Sequence, residues 1–385
     1  MQIQKTAEDT ILPVQGNDTA SLRQKQRRVD IDLLRIIACF LVLFHHTRGY
    51  QSYAYTDTLS EAWFYSVFTA VTRVNVPIFF MISGAMLFKD KQESYRYIFK
   101  HRILRIAVVL PILISGLAVI GSFRGYIDNC SIETCFRLTL EGAYQVGGRT
   151  YWYLYSYIGV LLMLPLYRKI AKNMTKQDFL ALFLIKLFFT SFLPILNITL
   201  NYFNIRSLSL TSTLESSVEF ATYSDMFFPL IGYYLYHNVD LLKVSKKKLY
   251  LLFASGILGV IITCDLKIRE IKLHGLSFSE EYFGIFSYLS AICVFLLIKY
   301  ICQKHDMFAS HKKFVRAVTL IGSLTYGIYL FAPFMKWVVY SRFVALISSD
   351  TYLVYPNVIY CILSMFVGGC ITWLLKKIPV VKKVL

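Results

Sequence analysis

Apolar side chains make up 56% of the 385 residues and charged ones only 17%, with a mean hydropathy of +0.52; soluble domains carry roughly 25% charged residues. That balance excludes a soluble globular enzyme and describes an all-α integral membrane protein. The net charge of +18 has no basic domain outside the apolar runs to reside in. It therefore speaks for attraction to an anionic cytoplasmic leaflet and against nucleic-acid binding.

Residues 1–28 are polar and lack the apolar core and small-residue cleavage site of a signal peptide, so a disordered cytoplasmic tail is expected there. Apolar runs of about 20 residues, the length that crosses a hydrocarbon core, follow near 30–48, 64–88, 103–122, 151–167, 179–200, 220–237, 249–265, 282–301, 317–335 and 356–375. Together they predict a ten-span domain over 29–376, closed by a basic tail at 377–385. With the N-terminus inside, the inner segments hold 28 of the 41 Lys and Arg and the outer loops hold 10. The asymmetry places both termini in the cytoplasm. The sizeable outer segments are 123–150 and 201–219. Cys130 and Cys135 fall in the first, where an oxidising compartment permits a disulfide; free and paired states stay equally open. The eight cysteines show no metal-ligand spacing, and no metal is expected.

The first span, IDLLRIIACFLVLFHHT over 31–47, carries four ionisable groups. On a helix, eleven residues make three turns plus about 20°, so Arg35 and His46 share one face roughly 16 Å apart, with Asp32 on the same face. His45 is offset by about 100°, which suits packing or orientation. Charged groups on a membrane helix are costly unless they face a polar cavity, which makes this face a candidate site. The bland alternative is a pair of interfacial anchors followed by headgroup histidines.

Asp32-x-x-Arg35, Ala38 and a His eleven positions after the Arg resemble the first-helix signature of the acyltransferase family 3 membrane proteins. VPIFFMISGAMLF (76–88), HRILRIAVVLP (101–111), WYLYSYIGVLLMLPLYR (152–168) and SLTYGIYLF (323–331) resemble further family segments, in the family's order. Two departures stand out. A His that many members carry before Trp-Tyr-Leu is Thr150 or Tyr151 here, and one that follows Tyr-Leu is Ala332.

The resemblance implies a multi-pass protein of a bacterial cytoplasmic membrane. Such a protein moves an acyl group, acetyl foremost, from acyl-CoA as co-substrate to a hydroxyl of a cell-envelope glycan or lipid-linked glycan, or hands it to a separate envelope protein. It implies His46 and Arg35 as catalytic residues, Arg102, Arg105 and Arg73 as acyl-donor ligands, and Asp32, His45, Trp152 and Tyr153 as orienting or substrate-contacting groups. Each has a plain reading beside it. Arg102 and Arg105 suit positive-inside anchoring as well as two guanidinium forks for a diphosphate. Trp152 and Tyr153 suit an interfacial aromatic belt, and Ser83-Gly84 suits close helix packing better than nucleophilic chemistry. A transporter of a small polar solute is the alternative of a different class, and a structural partner in glycan export is a third.

Overall fold

The computed structural model describes residues 28–47, 59–89, 93–127, 130–141, 151–206, 214, 217–222, 224–274, 286–304, 311–347 and 354–382. The expected tail lies outside the described residues except for Arg28, as do 207–213, 215–216, Thr150 and the last three residues. Among the described residues there is no strand, so this is an all-α membrane protein. Among the described residues, seven helices are long and apolar enough to cross a bilayer: Ala62–Leu87, Tyr95–Phe123, Lys176–Leu200, Lys246–Arg269, Ser287–Lys304, Lys312–Ile347 and Val354–Leu375. Helices also occupy the other three expected positions. There, Val29–Thr47 carries three charged residues, while Trp152–Leu162 and Ser224–His237 are short.

Proline explains where the observed elements depart from continuous spans. We label Val29–Thr47 α1, Leu59–Thr72 α2, Asn75–Leu87 α3 and Tyr95–Phe123 α4. Pro77 has no N–H for the Arg73 carbonyl four residues back, and the expected span 64–88 breaks there into α2 and α3. Pro165 does the same to the Leu161 carbonyl. The expected span 151–167 accordingly divides at Met163 into α5, Trp152–Leu162, and α6, Leu164–Asn173. Lys176–Leu187 is α7, which runs through a π-helical turn at Phe188–Phe192 into Leu193–Tyr202. Ser224–His237 is α8, Lys246–His274 α9, Ser287–Lys304 α10, Lys312–Met335 α11 and Val354–Leu375 α12. Within the outer segment 123–150, Ile132–Leu140 is a short helix capped by Ser131. At its start the Cys130 and Cys135 sulfurs lie 3.8 Å apart as free thiols. Burial, reinforced by the neighbouring Cys135 thiol, pushes Cys130 above the usual thiol pKa.

The bundle's tightest seam joins α3 to α8. A Cβ added to Gly84 would lie 1.8 Å from the Pro229 carbonyl oxygen, and one added to Gly232 would lie 2.4 Å from Met81 Cα. The two backbones touch because glycine leaves room for nothing else, a common device where lipid gives little drive for helix association. α1 lies at the centre, against α3, α11 and α12. Ile31, Leu34 and Ala38 are buried there with Ile78, Met81 and Phe295. Bringing the polar face of α1 inside requires a cavity beside it.

Candidate active site

A cavity of about 1520 Å³ opens beside α1, lined by Arg35, His45 and His46 together with Arg73, Trp152, Tyr153 and residues of α7, α10 and α11. Seven of the nine residues singled out in the sequence thus have side chains on one space or hold one that does. Asp32 is the holder. Its carboxylate, 1% exposed, accepts from Arg35 Nη1 at 3.0 Å. Asp32 itself fits against α11 only because position 322 is glycine, where a Cβ would come within 2.7 Å of Asp32 Cβ. The i, i+3 spacing of Asp32 and Arg35 therefore fixes the guanidinium at the cavity wall.

At the other end of α1 the two histidine rings meet edge to face, 6.0 Å apart. His45 Nδ1 lies 3.3 Å from Thr72 Oγ1. The Thr72 hydroxyl also donates to the Thr69 carbonyl at 3.1 Å. His45, expected to pack or to orient a neighbour, lines the cavity as well. The His46 backbone carbonyl accepts from Lys336 Nζ. Lys336 opens a π-helical turn, Lys336–Tyr340, at the end of α11. Arg73, next to Thr72, belongs to this histidine end of the cavity rather than to the end near Arg102 and Arg105.

Between the two ends runs a tyrosine wall. Tyr153 stacks on Tyr157 at 6.0 Å, packs on Phe80 at 4.9 Å, and its hydroxyl lies 3.4 Å from Ser83 Oγ. Ser83 donates to the Phe79 carbonyl, a helix-internal bond that fits a packing role. Arg102 and Arg105 do not line the cavity. They stand behind the wall, close enough, with Arg35, to act on Tyr157 electrostatically, and Arg105 acts on Tyr326 as well. Where the resemblance leads one to look for two histidines, Tyr151 is fully buried and donates to the Leu330 carbonyl at 2.6 Å. That bond joins the start of α5 to α11 two residues before Ala332.

Sequence reasoning did not single out three charged residues that the fold places at or near this cavity. Glu93, 4% exposed, accepts from Arg102 Nη2 on both oxygens, at 3.0 and 3.1 Å, and from Arg168 Nη2 at 3.0 Å. Arg168 also donates through Nε to the Leu87 carbonyl at the end of α3. Arg102 Nε is buried and donates to no partner among the described residues. Lys186 and Lys336 are the other two, both on the cavity wall. Residues 9 to 150 positions apart give no periodic signal, so only the fold brings them together. Among the described residues no cluster of three His, Cys, Asp or Glu side chains could hold a metal.

A family model described as an acyltransferase domain matches residues 28–377, nearly the whole chain. No curated protein and no solved structure matches it.

Proposed function

Because the chain belongs to the acyltransferase domain family, we propose that it transfers an acyl group, acetyl foremost, from cytoplasmic acyl-CoA through the bilayer to a hydroxyl of a cell-envelope glycan. One observation carries this: a single cavity takes in Arg35 at one end and His46 at the other, with the Arg102, Arg105 and Arg168 guanidiniums grouped outside the Arg35 end. The ten-span topology with both termini inside belongs to the same proposal.

Arg102 and Arg105 would take the diphosphate of the donor. Arg102 has Nε to offer while Glu93 holds its Nη2. The pantetheine arm then follows the tyrosine wall past Arg35, and the thioester reaches the histidines, where Arg73 faces its acyl end. Neutral His46 takes the proton of the acceptor hydroxyl as that oxygen attacks the thioester carbonyl. The tetrahedral intermediate collapses, the C–S bond breaks, and the CoA thiolate leaves with the proton from His46. Asp32 keeps Arg35 oriented throughout, Trp152 and Tyr153 bound the acceptor's approach, and no metal takes part in the steps.

Purified protein in lipid nanodiscs, given acetyl-CoA labelled in the acetyl group, should release CoA and label a glycan. Specific uptake of a polar solute into proteoliposomes, with no thioester cleavage, would overturn acyl transfer in favour of transport.

A further inference from the structure

Part of the cavity's lining, its second arm, comes from α7 and the turn after it, α8 and α10. α7 is inside out by the standards of a soluble helix. Leu180 and Leu184 are exposed, and the one buried side chain of Lys176–Leu187 is a lysine, Lys186, 6% exposed. On a membrane helix that pattern sets apolar residues toward lipid and the costly charge inward, where it marks a functional position. Lys186 Nζ donates to the Thr222 carbonyl and sits 5.5 Å and 5.8 Å from the rings of Phe227 and Phe228. An ammonium has three N–H donors. The carbonyl takes one, the ring faces balance part of the charge, and the remaining donors are available at the cavity wall.

The surroundings are those of a site for a polyhydroxylated ring. Phe189 and Thr190 follow Lys186 at i+3 and i+4 and line the same arm, in a π-helical turn of the kind frequently found at functional sites. Facing them are Phe228, Ser287 and Tyr288. Tyr288 Oη is tied to Ser191 at 2.9 Å, which joins α7 to α10 across the arm. Aromatic faces suit the C–H face of a sugar, while hydroxyls and an ammonium suit its rim of oxygens. The donor's phosphates have cations of their own, Arg102 and Arg105, behind the tyrosine wall, so this arm is left for the second substrate.

We propose that the arm lined by Lys186, Phe189, Thr190, Ser287 and Tyr288 is the acceptor subsite, where a sugar residue of the glycan lies against Phe189 and gives a ring or hydroxyl oxygen to Lys186. The assignment rests on the acyl-transfer function proposed above. Its test separates the two by measuring thioester hydrolysis, with water as acceptor, beside transfer to glycan. The glycan is the envelope polysaccharide extracted from a host strain lacking this gene.

In Lys186→Met, hydrolysis of acetyl-CoA and its KM should stay within about twofold of the parent, while transfer to polysaccharide falls at least about tenfold. Phe189→Ala should show the same split, and it serves if the lysine variant fails to insert. Three results would overturn the subsite: unchanged transfer in both variants, an equal loss of hydrolysis and transfer, or a parent that hydrolyses acetyl-CoA but never labels polysaccharide. A parent that does neither would instead remove acyl transfer itself, and the subsite with it.

Discussion

Replacing Glu93 with Gln tests the ion network that joins Arg102 of α4 to Arg168 of α6. The carboxylate is 4% exposed and receives three charge-assisted hydrogen bonds, two from Arg102, 29% exposed, and one from Arg168, 10% exposed. Removing one partner of a buried ion pair costs about 3–5 kcal/mol, because the other charge stays buried without compensation. Gln keeps the volume and one acceptor oxygen but cancels the charge. Arg168 bears most of the cost, since Arg102 is exposed enough to regain water. Glu93→Gln should therefore lower the free energy of unfolding, followed by loss of helical signal in mixed micelles, by about 3 kcal/mol or slightly more. It should also raise the donor KM, because Arg102 loses its anchor. A change below about 1 kcal/mol would refute the premise that Glu93 holds the two guanidiniums together.

Gly84→Ala should reduce the yield of folded protein sharply, as judged by size-exclusion profile. The added Cβ meets backbone atoms of Pro229, which cannot give way as a side chain can, so the cost exceeds the roughly 1–3 kcal/mol of ordinary overpacking. A normal profile would mean that α3 and α8 do not touch there. Replacing Arg102 and Arg105 together by Gln removes charge-assisted bonds worth roughly 1.5–3 kcal/mol each. The KM for acyl-CoA should rise at least about tenfold with a smaller fall in kcat, and an unchanged KM would return both residues to anchoring. On a cysteine-free background, Arg96→Cys should react with an impermeant maleimide only in inside-out vesicles and Ile205→Cys only in intact cells. Labelling of both from one side would overturn the ten-span topology.

What was legible in the sequence was local. The spacing of eleven positions from Arg35 to His46 defines a helix face without any tertiary knowledge, and Asp32 follows from the same periodicity. The breaks at Arg73 and Met163 also had a signal, in Pro77 and Pro165, each of which denies a hydrogen bond to a carbonyl one turn earlier. Hydropathy hid it, because apolar content stays high across both breaks. Glu93 looked like one more charge in a basic inner loop, and nothing in its neighbours announces two arginine partners 9 and 75 positions away. Lys186 was visible as a charge inside a span, yet its meaning depends on which way α7 faces. The hydrophobic pattern of a lipid-facing helix does not reveal that.

The proposed role of His46 is that of the base that activates the acceptor. Its most direct test is the initial rate of acetyl transfer from labelled acetyl-CoA to envelope polysaccharide by the parent, His46→Ala and His45→Ala proteins in nanodiscs, each checked for an unchanged melting profile. A positioned general base contributes about 10²–10⁴-fold, so His46→Ala should lose at least about a hundredfold, and His45→Ala markedly less. A His46→Ala protein that keeps more than about a tenth of the parental rate would rule out His46 as that base.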